Sequence, residues 1–305
     1  MRKLGTLALA ALAFAVPGCA KDKEPVQADP PPSSAAASSA AAIAAASPPS
    51  IDASFVSALS ADIGLTSREK SELASVLTRL DAPCASEAVS VAQCLTEHRA
   101  CPDCDRAARY LANGVHQGWP AQYAQMAFRA RFDPNEAKDL PVDGSPAKGP
   151  ASAAVTIVEF GSYVCPHCAA EAPKLDALQK AHPKDIRLVF KPAWSPQNVA
   201  QVQATRAALA AAAQGKFWEM HALLFANQPN FGAEAIDGYA KSIGLDTNKL
   251  HADMAAPAVA EQMKKDLAAA AAAKIDSLPS IWINGHAYLS FEDLEARVAF
   301  ELAGK

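Results

Sequence analysis

The chain has no surplus of positive charge: 28 lysines and arginines stand against 32 aspartates and glutamates, a formal net charge of −4. Both signs are scattered along its length. Without a basic stripe it has nothing to neutralise successive phosphates, which excludes nucleic acid as the expected partner. The apolar stretch near its start, Leu4 to Val16, is also too short to serve as a membrane-spanning helix, since such a helix needs roughly 20 apolar residues. What the 305 residues do contain is enough chain for one large domain or two modest ones, and the composition shifts along it favour two.

Met1-Arg2-Lys3, the apolar run and Pro17-Gly18-Cys19-Ala20 have the regions of a secretory signal peptide, read here as residues 1–18. Val16-Pro17-Gly18-Cys19 resembles the bacterial lipobox, with Pro17 departing from the usual pattern. That resemblance implies cleavage before Cys19 and a lipid on its side chain, anchoring the protein to a membrane of the bacterial envelope on the periplasmic side. The alternative is ordinary secretory cleavage after Ala15 or Ala20, which would release a soluble periplasmic protein. Of seven cysteines, setting Cys19 aside leaves six that can pair completely. An exported chain meets an oxidising compartment, where disulfides persist. Residues 19–50 then read as anchor and tether, because a stretch of Ala, Pro and Ser cannot bury enough apolar surface to offset its ordering entropy.

Residues 51–135 read as a small all-α domain containing cysteines. Thr66 with Glu69 forms a capping box, and Leu73, Val76, Leu77 and Leu80 follow on one helical face. A second helix follows Cys104. A third carries Tyr123, Met126, Ala127 and Ala130 at helical spacing, expected as a core face. Residues 136–150, punctuated by Pro141, Gly144, Pro146, Gly149 and Pro150, read as a linker.

Residues 151–305 have α/β character. The β-branched run Val155–Phe160 is a buried strand, Cys165-Pro166-His167-Cys168 opens a helix, and Ile186–Phe190 is a second strand, parallel to the first. A helical insert follows over about 198–273, in which Phe217, Met220 and Leu224 and the neighbouring Trp218, His221 and Phe225 give a broad buried face. Ser280–Ile283 and His286–Leu289 flank Asn284-Gly285, the strongest short hairpin signal. Ser290 is expected to cap a last helix with Asp293 at its third position.

This order resembles the thioredoxin fold in its DsbA form over about residues 146–303. The likeness rests on Val158-Glu159-Phe160, Cys-Pro-His-Cys, Gly215-Lys216-Phe217-Trp218-Glu219, and Leu278-Pro279 before Ile283-Asn284-Gly285. Leu278 departs from the Val or Thr more common there. The fold class expected is therefore α/β, a thioredoxin fold with a helical insertion preceded by a small all-α domain.

A thiolate attacks and leaves in disulfide exchange, so the site must stabilise one. Cys165 at a helix N-terminus meets unpaired N–H groups and the positive dipole end. Pro166 suits the first turn because its missing N–H costs no bond, and His167 can place a donor or positive charge beside the sulfur. The resemblance further implies a cis Pro279 opposite the pair, a Leu278 backbone free to pair with an extended substrate, and Glu159 handling the proton of Cys168. An edge carboxylate facing solvent is the plainer reading of Glu159. Lys191 and His286 are expected on the surface near the pair.

Expected partners are exported proteins with free thiols and a membrane redox partner, such as a quinone-linked oxidase, that resets the disulfide. No cofactor or metal is expected beyond the redox-active Cys165–Cys168 disulfide. Cys84, Cys94, Cys101 and Cys104 admit three pairings and three readings: structural disulfides, a redox pair at Cys101/Cys104, or a zinc site. Structural disulfides are the leading expectation. Functionally, a protein dithiol oxidase leads. A reductase or isomerase on the same fold, and a non-catalytic module binding exported chains or metal, are the alternatives.

Overall fold

The computed structural model describes residues 53–304 other than Ala85. The expected signal peptide, Cys19 and the tether lie outside the described residues. The described residues form one compact unit.

Five helices come first: α1 (Ala53–Ile63), α2 (Ser67–Arg79), α3 (Val91–Thr96), α4 (Asp103–His116) and α5 (Ala121–Phe132). Thr66 and Glu69 close a capping box on α2, satisfying two N–H groups the helix cannot satisfy internally. Leu73, Val76, Leu77 and Leu80 are all buried behind it. Disulfides join Cys84 to Cys101 and Cys94 to Cys104, tying the α2–α3 loop and α3 to the start of α4. Each closes a loop of 17 or 10 residues, which on a chain-entropy model restricts the unfolded chain by about 3 kcal/mol.

The face of α5 differs from expectation. Tyr123 and Met126 are 37% and 51% exposed, while Ala124, Ala127, Phe128, Arg131 and Phe132 are buried. Two stripes one residue apart on a helix differ by about 100°, and spacing alone does not choose between them. Packing does: Ala124 and Ala127 join the helical core, Phe132 packs on Tyr110 of α4, and Arg131 turns inward to Glu301.

The sheet has five strands in the order β1-β3-β2-β4-β5. At its centre, β2 (Val155–Gly161) runs parallel to β3 (Ile186–Pro192), with Val155 opposite Ile186 and Glu159 opposite Phe190. β4 (Ser280–Ile283) lies antiparallel on the other side of β2, and β5 (His286–Tyr288) completes the hairpin. Asn284 and Gly285 both adopt positive φ, 50° and 80°, as a tight hairpin turn requires. The Asn284 side chain also accepts a hydrogen bond from Thr156 N–H at 2.9 Å, locking the turn to β2.

β1 (Ala147–Lys148) pairs antiparallel with β3 inside the stretch expected to be a linker. Two residues carry no period-2 pattern, so the strand left no mark in the sequence.

Helix α6 (Pro166–Ala181) crosses from β2 to β3, and the insert comprises α7 (Val199–Ala212), α8 (Phe217–Ala226), α9 (Ala233–Ser242), α10 (Thr247–Ala255) and α11 (Pro257–Ala272). Val155 and Ile157 pack with Leu175 and Leu178 of α6; Val158 and Phe160 pack with Ala269 and Ala270 of α11. The sheet is therefore covered on both faces, as a parallel pair requires. The last helix, α12 (Leu294–Ala303), is capped by Asp293, whose carboxylate accepts Ala296 N–H at 2.7 Å, rather than by Ser290. Glu292 explains the later start: its carboxylate binds Leu289 N–H and Arg297, holding residues 289–292 in a turn.

Candidate redox site

Strand β2 ends at Gly161, where an added Cβ would come within 2.7 Å of the Phe190 ring and 3.0 Å of Glu159 Oε1. Only glycine leaves the carboxylate its place. The chain turns through Ser162-Tyr163-Val164 and enters α6 with Cys165 as its N-cap and Pro166 in the first turn. Cys165 Sγ accepts the Cys168 N–H at 3.4 Å, so the sulfur satisfies a donor left open by the helix start. No acidic residue stands in that first turn. An anion on Cys165 thus meets amide dipoles and no carboxylate of that turn.

Among the described residues the two free cysteines are unequal. Cys165 is partly exposed, whereas Cys168 is buried, and burial pushes its thiol well above the ordinary range. Cys168 Sγ accepts Ser162 N–H at 3.5 Å. Pro166 and His167 stand exposed between the two sulfurs. Across from them the Leu278–Pro279 peptide bond is cis, and the Leu278 carbonyl lies 3.7 Å from Cys165 Sγ, which donates to it.

Glu159 is 2% exposed, and its Oε1 has no hydrogen-bond partner. The plainer reading, a carboxylate facing solvent, is thereby excluded. Burial, then the negative charge of Glu171, pushes its pKa up to about 8. It lines a cavity of about 640 Å³ between α6, β3 and α8, with Lys148, Asp176, Trp218 and His221. Exposed Lys180 and Glu219 stand at the rim. His221, buried and receiving or donating a 3.1 Å hydrogen bond at Nδ1 with Tyr163 OH, is lowered to about 3 by burial and stays neutral.

A carboxyl whose folded pKa exceeds its unfolded value stabilises the fold only while protonated, so this stability is present below about pH 4.5 and lost as pH rises through about 8. Glu159→Gln should remove that loss. Urea midpoints at pH 5 and pH 8 should show wild type falling relative to the variant by on the order of 4 kcal/mol. Parallel profiles would refute the raised carboxyl.

Lys191 is not at the surface: it is buried, 3.1 Å from Asp266 of α11 and 2.8 Å from Ser145 Oγ. Strand β3 runs on to Pro192 and carries Lys191 under α11, where Asp266 compensates its charge. His286 is half-buried and bonds the Ala130 carbonyl of α5. Neither joins the cysteine pair in any hydrogen bond. The four N-terminal cysteines belong to the helical segment and stand apart from this site.

Two residues unforeseen from sequence brace the site. Buried Gln201 donates to Ser162 Oγ and the Ala193 carbonyl, both at 2.6 Å, and Gln228 donates to the Cys165 carbonyl at 3.1 Å. A glutamine within a helical insert carries no local sign of such a role.

Residues 142–299 match the family model described as Thioredoxin. Curated relatives include sodium/proton antiporters: NhaA 1 of Salinispora arenicola is 34% identical over 167 residues, covering 53% of this chain and 25% of that protein. NhaA of Herminiimonas arsenicoxydans is 34% identical over 138 residues, covering 45% and 22%. This chain therefore spans about a quarter of the length of the curated relatives it matches. No described helix is long and apolar enough to cross a membrane. Among solved structures, oxidised BdbD of Bacillus subtilis superposes with TM-score 0.50 at 24% identity, covering 55% of this chain and 98% of that one. A thioredoxin-like oxidoreductase from Silicibacter pomeroyi gives 0.47 at 28% identity, covering 53% and 92%.

Proposed function

The chain belongs to the thioredoxin family, and from that premise we propose that it is a thiol–disulfide oxidoreductase that introduces disulfides into exported proteins through Cys165 and Cys168. The observation that carries this reading is the inequality of the two sulfurs: one caps a helix at the surface, the other is sealed beneath it. In the oxidised protein a substrate thiolate attacks Cys165, the Cys165–Cys168 bond breaks, and its electron pair leaves on Cys168. Burial makes that anion costly, so it takes a proton. Glu159, protonated at neutral pH and near enough that its ionised form acts on Cys168 by charge, is the proposed donor.

A second substrate thiolate then attacks the substrate sulfur of the mixed disulfide and expels Cys165. The substrate is oxidised by two electrons and the protein reduced by two. The Leu278 backbone beside Pro279 is the proposed edge on which an extended substrate lies, and His167 is exposed at the same helix start. No cofactor is required, because the disulfide carries the electrons. The proposed setting is the bacterial envelope, anchored through Cys19 and facing the periplasm, with a membrane redox partner that restores the disulfide.

A thiolate held at a helix N-terminus favours the reduced form, which makes the disulfide oxidising. Equilibration with glutathione buffers should place the pair near about −120 mV. A value near about −270 mV would replace the oxidase with a reductase.

A further inference from the structure

The helical segment holds its four sulfurs in two disulfides that touch. Cys94, Cys101 and Cys104 sulfurs all lie within 4.8 Å of one another, although Cys101 belongs to one bridge and Cys94 and Cys104 to the other. Cross-links that serve only to restrain the chain gain nothing from contact between them. Cys101-Pro102-Asp103-Cys104 also places two sulfurs of different bridges at Cys-x-x-Cys spacing where α4 begins, the spacing of Cys165-Pro166-His167-Cys168 at the start of α6, although Cys101 lies one residue before the N-cap of α4 whereas Cys165 is itself the N-cap of α6. Access is graded: Cys84 is partly exposed, and the other three are buried.

We propose that this cluster is a second thiol–disulfide exchange site, which accepts two electrons from a dithiol by shifting its pairing to Cys101–Cys104. A thiolate of the dithiol attacks Cys84, the one sulfur within reach, and the Cys84–Cys101 bond breaks with its electron pair on Cys101. Cys101 attacks the neighbouring Cys104, forming Cys101–Cys104 and releasing Cys94 as a thiolate that takes a proton. The second thiolate of the dithiol attacks its own sulfur bound to Cys84, closing an external disulfide and freeing Cys84, which is protonated in turn. One protein disulfide remains where there were two, and one external dithiol has become a disulfide.

Burial favours the onward step. Cys101 is 6% exposed, so an anion on it is poorly solvated, while Asp103 and Asp105 of the first turn of α4 are paired with Arg106 and Arg109. A thiolate that is poorly held attacks the nearest acceptor, and Cys104 is within 4.8 Å.

The test uses the full chain carrying Cys165→Ser and Cys168→Ser, so that the outcome does not depend on the other site. The protein is treated with one equivalent of dithiothreitol, alkylated with N-ethylmaleimide, cleaved at Asp103 and mapped by mass spectrometry. The expected majority product carries label on Cys84 and Cys94 and a bridge between Cys101 and Cys104. Label on Cys84 and Cys101 with Cys94–Cys104 intact, or no reduction short of unfolding, overturns the proposal. A second measurement needs no reductant: in Cys84→Ser the free thiol should be found at Cys94, and its persistence at Cys101 would equally overturn it. Should that variant not fold, the mapping of the first protein decides alone.

Discussion

Cys165→Ser should bring dithiol exchange down to the uncatalysed background, a fall on the order of 10³-fold or more, while Cys168→Ser, which cannot form the redox disulfide, should lose turnover but keep the attack of Cys165 on a substrate disulfide. The asymmetry follows from burial. Cys165 is the partly exposed sulfur, at the helix start and beside Leu278; Cys168 lies fully enclosed. In the serine variant at 165 the remaining thiol cannot be approached and is held protonated by its burial. In the serine variant at 168 a substrate disulfide can still be attacked by Cys165, and the mixed disulfide persists because no neighbouring thiol resolves it. Non-reducing gels after mixing with a disulfide-bonded peptide should show the adduct only with Cys168→Ser. An adduct formed by Cys165→Ser instead would mean that Cys168 is the attacking sulfur, and the roles would reverse.

Arg297→Ala should cost the fold about 3–5 kcal/mol, the range for removing one partner of a buried ion pair. Arg297 of α12 is 2% exposed and donates to Glu292 at 2.9 Å and to Glu301 at 3.1 Å. Burial works against the charge on Glu301; Arg131 and Arg297 outweigh it and hold its carboxyl below the usual range. Tyr110 of α4 donates to Glu292 at 2.6 Å, so the network joins α4, α5 and α12. Without the guanidinium, two carboxylates stay buried with reduced compensation. A group with a lowered folded pKa contributes stability above its unfolded pKa and loses it as pH falls. The gap between wild type and variant should therefore narrow in urea titrations below about pH 4.5. Arg297→Met restores the side chain's packing without its charge and should leave most of the loss. A gap that is constant with pH would assign the effect to packing.

The features legible in the sequence are those whose physical cause is local. Thr66 and Glu69 cap α2 within four residues of chain, Asn284-Gly285 needs only its own backbone freedom, and the Val155–Phe160 run announces a buried strand by side-chain shape. Cysteine spacing and resemblance named Cys165, Cys168, Glu159, Leu278 and Pro279, and the fold gathers them around one helix start. What escaped was decided by distant partners. Lys191 is buried only because Asp266, 75 residues on, meets it. The inward face of α5 depends on Glu301, 170 residues away. The choice among three cysteine pairings, and the bracing by Gln201 and Gln228, were likewise settled by tertiary neighbours.

The two edges of the sheet are short: β1 has two residues and β5 three, with α5 packed on β5 and the His286 ring tied to the Ala130 carbonyl. A long open edge is a template on which a foreign chain can pair and aggregate. A protein that handles unfolded chains, as the proposed function requires, would meet that hazard at every encounter. Here the edge strands are short, so under that proposal the backbone at Leu278, beside the Cys165 sulfur, is the place left for an extended substrate to pair, away from any edge that could extend into a fibre.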